Sequence, residues 1–479
     1  MSISQIRLRN FRGFRNESLA IKPLTVLLGP NSSGKSSFSH PLAAISHCQK
    51  LYEGRRDASL TPRTAREAEE WPIDLGGYSD LVTSGSAEKV FIDLLTSEGW
   101  IEFGFGGIPS SPNELCLSHI GSPQNLDVTT APPGVELSGL AGVRTEVPAG
   151  GSIQTVVDAN PRAFSEVSRP MLTLVRISEQ GWQHDGQDAI VGLDGLIPVS
   201  LQHSSGTPFK LNAKSIKDVR FLLDSLVYLR ASRKRPTRGF PYFRSERRSI
   251  GYAGEKAASV LFNVGDQIAP RVCPPRGLGQ APDHIEWPEM EISLKEAVTA
   301  WLGYLKLAAT MTAAESVRYG PEHVDVRVAL SFGAQTRDLT EVGYGLSQVI
   351  PIIVGALLQP RDSIFIVDLP EAHLHPRPQA NIADLFCALA MSGRTTIVET
   401  HSEMFFHRLR LRAAMQPELM KQIAVYFVDG PNSDGICRAP RPVGLDLDDE
   451  LKWPPGFLQE ALDAELEIRS ARQASSRHD

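Results

Sequence analysis

The sequence predicts an α/β fold, a mostly parallel sheet layered with helices and interrupted by a mixed α+β insertion. Three observations predict it. An apolar run over residues 24–28 leads into the glycine-bearing stretch Gly29-Pro30-Asn31-Ser32-Ser33-Gly34-Lys35-Ser36 and then into a helical pattern. The last third of the chain alternates helical and strand patterns, the layering of a parallel sheet. A second apolar run, over 363–367, ends in the carboxylate of Asp368.

Element by element, residues 5–11 alternate Ile6, Leu8 and Phe11 with basic side chains and predict an edge strand. Residues 19–21 give a second short strand ahead of Pro23. Residues 24–28, apolar except for Thr25, predict a buried central strand. The helix after Lys35 carries Pro41 near its second turn, where the missing N–H predicts a bend or an early end. Residues 104–152, rich in Gly, Pro and Ser, predict irregular loops or short strands. Helical periodicity returns over 213–228 and 294–311, and a strand pattern over 324–332. There follow a helix over 347–358, a strand over 363–367, a helix over 378–391, a strand over 395–398, a helix from Glu403 and a strand over 423–428. Neither an internal repeat nor a sustained heptad run is found, and the last dozen residues predict a frayed tail.

Composition narrows the function classes. With 479 residues, 42% hydrophobic and 22% charged, the chain can bury more than one core. No run approaches the roughly 18 apolar residues of a membrane span, so no membrane partner is expected. The opening residues lack the apolar core of a secretion signal. Cys48, Cys116, Cys273, Cys387 and Cys437 form no CxxC pair, which points to reduced thiols and a cytoplasmic protein. A net charge of −6 argues against a nucleic-acid coat over the whole surface but leaves a local basic patch open.

The GxxxxGKS spacing has a mechanical reason at each position. Its glycines let backbone N–H groups turn inward around a phosphate, the lysine reaches the terminal phosphates, and the last hydroxyl binds Mg²⁺. The following helix aims its N-terminus at the anion. The motif predicts ATP binding by Asn31, Ser32, Ser33, Gly34, Lys35, Ser36 and Ser37. Asp368, at a strand end, is the second candidate magnesium ligand beside Ser36. Lys35, Glu371 and His401 are the candidate catalytic residues, His401 because a strand-tip histidine can touch the γ-phosphate. For Glu371 the competing reading is an ion pair in the turn before a helix.

Two further signals have more than one reading. His373 and His375 could belong to a metal site, but they fit better a loop in which one histidine packs and the other lines a subunit contact. The stretch 230–248 interleaves Arg230, Arg233, Lys234, Arg235, Arg238, Arg244, Arg247 and Arg248 with Phe240, Tyr242 and Phe243. It could grip DNA or form a solvated loop, and Arg230 could instead face the nucleotide.

Residues 6–14, the loop around Lys35, Gly343-Tyr344-Gly345-Leu346-Ser347-Gln348, Asp368-Leu369-Pro370-Glu371 and Thr400-His401-Ser402 resemble the ABC-type ATPase heads of RecF, the SMC proteins and the overcome-lysogenisation (OLD) nucleases. Glu399-Thr400-His401-Ser402-Glu403, Trp453-Pro454-Pro455-Gly456-Phe457 and Tyr228-Leu229-Arg230 resemble more closely a branch of AAA/OLD-like ATPases associated with PtuA-like defence ATPases. The resemblance covers roughly the first 95 and the last 160 residues. It implies a P-loop NTPase head of ABC type in two halves, 1–95 and 321–445. Between them lies a central insertion or lid, 96–320, and after them a C-terminal helix and tail, 446–479.

The resemblance further implies a homodimer that encloses two ATP molecules. Lys35 and Ser36 of one subunit would hold each nucleotide, and Ser347 with the Gly345 backbone of the other would cap it. Taken alone, residues 343–348 read as a helix start with Ser347 at the N-cap. Such heads carry an acid directly after the metal-binding aspartate, and here Leu369 stands in its place, which implies slow hydrolysis. OLD nucleases continue into a Toprim domain, for which too few residues follow His401, so no fused nuclease is expected. The leading expectation is an ATP-dependent sensor that controls a separate effector, a nuclease or toxin, in antiphage defence. The alternatives are a RecF-like DNA-repair ATPase and a scaffold locked by ATP.

Overall fold

The computed structural model describes residues 3–51, 71–73, 75, 78–83, 90–96, 99–108, 111–122, 155–158, 171–178, 181–194, 197–203, 209–210, 214–237, 240–241, 249–278, 285–308, 310–318, 324–332 and 335–445. The central sheet has six strands in the order Val227–Leu229, Ile364–Asp368, Thr395–Glu399, Leu24–Leu28, Ile423–Phe427 and Arg441–Pro442. The first five run parallel and the last antiparallel. The edge strand Val227–Leu229 comes from the stretch that the sequence reading assigned to the insertion.

Alternate residues of this sheet feed two cores, the period-2 rule acting on a sheet covered on both faces. Leu24, Val26, Phe365, Val367, Val398 and Val425 enter one core with the helices Leu294–Tyr304, Tyr344–Leu358, Ala383–Met391 and Glu403–Met415. Leu27, Ile364, Ile366, Ile397 and Tyr228 enter the other. That second core is closed by the helices Ser36–Leu51 and Lys214–Ser225 and by one face of an antiparallel sheet. The antiparallel sheet runs in the order Phe14–Ala20, Gln5–Phe11, Val90–Thr96, Gly99–Ile108, Ser111–Ser122, Thr155–Asp158.

Several expectations are corrected. Gln5–Phe11 is an interior strand, hydrogen-bonded to Phe14–Ala20 on one side and to Val90–Thr96 on the other. Its basic residues are neutralised from the neighbouring strand, with Arg7 Nε and Arg9 Nε each 2.7 Å from the buried Asp93 carboxylate. Pro41 does not end its helix, which continues to Leu51. Interior proline costs roughly 3 kcal/mol, whereas burial of Phe38, Leu42 and Ile45 contributes about 1.5–3 kcal/mol each; packing wins. The strand 19–21 is the end of a longer one, Phe14–Ala20. The stretch from residue 104, expected as irregular loops or short strands, carries the strands Gly99–Ile108 and Ser111–Ser122, and 123–152 lie outside the described residues. The C-terminal tail, residues 453–457, and Tyr242, Phe243, Arg238, Arg244, Arg247 and Arg248 among the singled-out residues also lie outside them.

Helix Lys214–Ser225 is fastened to helix Ser36–Leu51 by side chains of the latter. Ser46 Oγ donates to the Leu223 carbonyl at 2.5 Å and Lys50 Nζ to that of Leu226 at 2.9 Å. Among the described residues, no helix is long and apolar enough to cross a membrane.

Candidate active site

Strand Leu24–Leu28 delivers the phosphate loop at its carboxyl end, the usual place for a ligand on a parallel sheet. The loop turns through left-handed backbone at Gly29, Ser32 and Gly34, with φ of 146°, 60° and 96°. A Cβ on Gly29 would stand 2.4 Å from the Val428 carbonyl oxygen, so glycine is required there by φ and by space. Asn31 and Ser32 are exposed, while Ser33 and Ser37 are buried, Ser33 Oγ without a hydrogen-bond partner. Lys35 is 3% exposed, and its ammonium donates to the carbonyls of Gly29 at 3.1 Å and Pro30 at 2.6 Å. Burial lowers its pKa, and the Glu399 carboxylate partly offsets this.

Strands Ile364–Asp368 and Thr395–Glu399 run in register and pair Asp368 with Glu399 at their ends. Ser36 Oγ lies 2.9 and 2.8 Å from the two Glu399 oxygens. Asp368 Oδ2 accepts from Tyr228 OH at 2.5 Å and faces His40 Nε2 at 3.4 Å. Its Oδ1 is buried without a hydrogen-bond partner. Burial, and next the charge of Asp368, raise the Glu399 carboxyl. Burial and Asp368 also push the Tyr228 phenol far up, so it stays a donor.

The turn after Asp368 is held from both sides. Leu369 takes a left-handed φ of 45°, and its N–H donates to the Glu399 carbonyl at 2.8 Å. The Arg233 guanidinium donates to the carbonyls of Asp368 at 2.5 Å and Leu369 at 3.1 Å. Arg233 is 2% exposed, so the reading of it as a DNA-gripping residue is corrected; Lys234 and Arg235 beside it are exposed.

Glu371 is buried and is not in the ion pair read as its alternative role. Its Oε1 accepts from the His401 backbone N–H at 2.9 Å, and Oε2 is buried with no hydrogen-bond partner. Burial raises its pKa. His401 is exposed at the tip of strand Thr395–Glu399. Partial desolvation of its ring and then the Lys35 charge lower its pKa, against the Gly29 backbone, beside the phosphate loop.

The signature segment differs from expectation. Helix Tyr344–Leu358 starts a turn early with Gly343 as N-cap, and Ser347 Oγ donates to the Tyr344 carbonyl at 2.6 Å. Ser347 is therefore no N-cap. Gly345 lies within this helix, and close approach requires glycine there: a Cβ would lie 2.2 Å from the His373 carbonyl oxygen. His373 and His375 are exposed, and the His373 ring stands edge-on to Tyr344 at 4.8 Å. Among the described residues, the group able to hold a metal is instead His40, Asp368 and Glu399, one donor atom of each lying within 4.8 Å of the others.

The structure thus brings Lys35, Ser36, Asp368, Glu371 and His401 to one end of the parallel sheet. Sequence reasoning missed Glu399, His40, Tyr228 and the buried role of Arg233. His40 follows Ser36 at helical spacing and so shares its face. Glu399 ends a strand of the same length as the one that ends at Asp368. The residues present fit a magnesium-bound nucleotide: a glycine cradle that a Cβ would fill, a buried lysine, and an aspartate with one oxygen unpartnered.

Residues 1–67 match a family described as "AAA ATPase domain", and residues 321–406 match one described as "AAA domain, putative AbiEii toxin, Type IV TA system". These are the segments that carry the phosphate loop and the carboxylate strands. No curated protein matches the chain. Among solved structures, the SMC head domain from Thermotoga maritima is 12% identical over 93% of this chain and 100% of its own, with a TM-score of 0.36. An SmcHead bound to the C-winged helix domain of ScpA is 13% identical over 95% and 100%, at 0.39. An Smc head domain with an extended coiled coil, bound to the C-terminal domain of ScpA derived from Pyrococcus furiosus, is 12% identical over 98% and 99%, at 0.35.

Proposed function

We propose that this chain binds ATP with magnesium, hydrolyses it slowly, and dimerises around two nucleotides to regulate a separate effector. One observation carries the reading: the Lys35–Ser36 end of the phosphate loop lies against the paired strand-end carboxylates Asp368 and Glu399. Lys35 and the loop N–H groups bind the phosphates, exchanging two internal carbonyl partners for phosphate oxygens. Ser36 and Asp368 would hold magnesium, whose charge would offset that of the phosphates. Glu371 positions the His401 backbone through its hydrogen bond, and His401 is neutral beside Lys35 and reaches toward the γ-phosphate. Leu369 supplies no carboxylate to orient water, so turnover is slow.

Ser347 and Gly345 of a second copy close the site, as the resemblance to ABC-type heads implies. The exposed Tyr344 and His373 form the adjoining contact surface. The effector is a nuclease or toxin, and antiphage defence is the setting that the resemblance to PtuA-like ATPases favours. The test measures ATP binding and phosphate release for the wild type, Lys35→Ala and Ser347→Arg. Lys35→Ala should abolish binding, and Ser347→Arg should retain monomeric binding but lose ATP-dependent dimers in light scattering. Nucleotide binding by Lys35→Ala equal to wild type would sink the reading. Co-purification of the adjacent gene's product under ATP but not ADP tests the effector.

A further inference from the structure

Two carboxylates at the ends of neighbouring strands repel one another unless something positive or a proton lies between them. Asp368 and Glu399 are such a pair, 6% and 8% exposed. The Asp368 oxygens are unequal. Tyr228 and His40 hold Oδ2, while Oδ1 is buried and lacks any hydrogen-bond donor. A buried carboxylate oxygen left without a donor is costly. Ser36 places one hydroxyl within hydrogen-bonding distance of both Glu399 oxygens, and one proton cannot serve both at once. Donor atoms of Asp368, Glu399 and His40 already cluster within 4.8 Å. Carboxylate and hydroxyl oxygens in this arrangement are the ligand set of a hard divalent cation.

We propose that Glu399 is a direct ligand of the divalent cation, forming with Asp368 and the Ser36 hydroxyl a three-oxygen site that binds the cation without nucleotide. The inference rests on the ATP-binding reading above and deepens it: the negative charge absent at Leu369 is supplied from the next strand. His40 and Tyr228 act as positioning residues, fixing Oδ2 and thereby the rotation of the Asp368 carboxylate.

Manganese is the probe, because it accepts oxygen ligands in the same geometry and tolerates an imidazole nearby. Full-length protein without nucleotide is titrated with Mn²⁺, and free Mn²⁺ is read by electron paramagnetic resonance. The wild type should bind a single Mn²⁺ per chain. Glu399→Gln should weaken it by at least about tenfold, and Glu399→Asp, which keeps the charge, should fall between. Thermal melts by circular dichroism check folding; should Glu399→Gln not fold, the wild-type stoichiometry and Glu399→Asp decide. A wild type that binds no Mn²⁺ without nucleotide, or a folded Glu399→Gln with unchanged affinity, overturns the inference. Fluorescent ATP-analogue binding by the wild type in EDTA is read separately. Nucleotide binding without a Mn²⁺ site removes this inference and leaves the ATPase reading; a Mn²⁺ site without nucleotide binding does the reverse.

Discussion

Ser36 Oγ lies 2.8 Å from Glu399 Oε2 and 2.9 Å from Oε1, joining the phosphate loop to a strand end 363 residues away in sequence. The contact exists because Thr395–Glu399 pairs with both Leu24–Leu28 and Ile364–Asp368. The loop, the aspartate and the glutamate are therefore set by adjacent backbones rather than by flexible connections. Four consequences can be measured.

Arg233 holds two carbonyls on either side of the left-handed Leu369. Arg233→Ala takes this donor from the Asp368 carbonyl and leaves the Leu369 carbonyl only the Ala372 N–H, and should cost about 1–3 kcal/mol. Lys234→Ala, at an exposed position, should stay within about 0.5 kcal/mol of wild type. Urea denaturation of both variants checks the contrast, and equal midpoints would contradict the role given to Arg233.

Gly345→Ala places a methyl group 2.2 Å from the His373 carbonyl oxygen. Helix Tyr344–Leu358 and the histidine loop must then separate, an overpacking cost of about 1–3 kcal/mol. A lower melting temperature is expected, together with loss of ATP-dependent dimers. A melting temperature equal to that of wild type would show that the loop yields freely.

Tyr228→Phe removes the phenolic donor from Asp368 Oδ2. Hydrogen bonds to charged groups contribute about 1.5–3 kcal/mol, so a loss in that range is expected by denaturant titration. Nucleotide affinity in magnesium should fall more than affinity in EDTA, because the bond fixes the carboxylate proposed to hold magnesium.

Burial and Asp368 raise the Glu399 carboxyl above its ordinary value. The folded chain holds this proton more tightly than the unfolded chain does. The associated stability is complete below the ordinary carboxylate pKa and is lost as pH rises through the raised folded value. In EDTA, melting temperature should therefore carry a falling component across that window, which Glu399→Gln removes. Glu371, also raised by burial, adds slope of the same sign, and the lowered His401 adds slope of the opposite sign. Both persist in the variant, so the difference between melts from about pH 4 to about pH 8 isolates Glu399. Parallel profiles would refute the assignment.

The parallel core is legible because its strands are continuous apolar runs: Leu24–Leu28 has the bounds its pattern predicts, and so, in a separate antiparallel sheet, has Val324–Phe332. The strand ending in Glu399 was read one residue short, since a glutamate reads as loop although the ladder asks only for its backbone. The helical pattern over 294–311 stops at Tyr304 because Thr310–Arg318 pairs with Val324–Phe332, and that pairing overrides local periodicity. Likewise 213–228 divides into a helix and the edge strand Val227–Leu229. Lys35, Ser36 and Asp368 follow from spacing alone. Glu399, His40, Tyr228 and Arg233 do not, since their roles arise from which strands lie side by side. Arg233 looked like a surface charge because nothing in a row of basic residues distinguishes the one that turns inward.

The edge strand gives the middle of the chain a mechanical hold on the catalytic end. Tyr228 grips Asp368, and helix Lys214–Ser225, one residue upstream of that strand, is pinned to the helix that begins at Ser36. A pull on Lys214–Ser225 is thus transmitted to the aspartate and to the phosphate-loop helix together, through one short turn and a few hydrogen bonds. The edge strand and its helix therefore tie Asp368 and the phosphate-loop helix to one another.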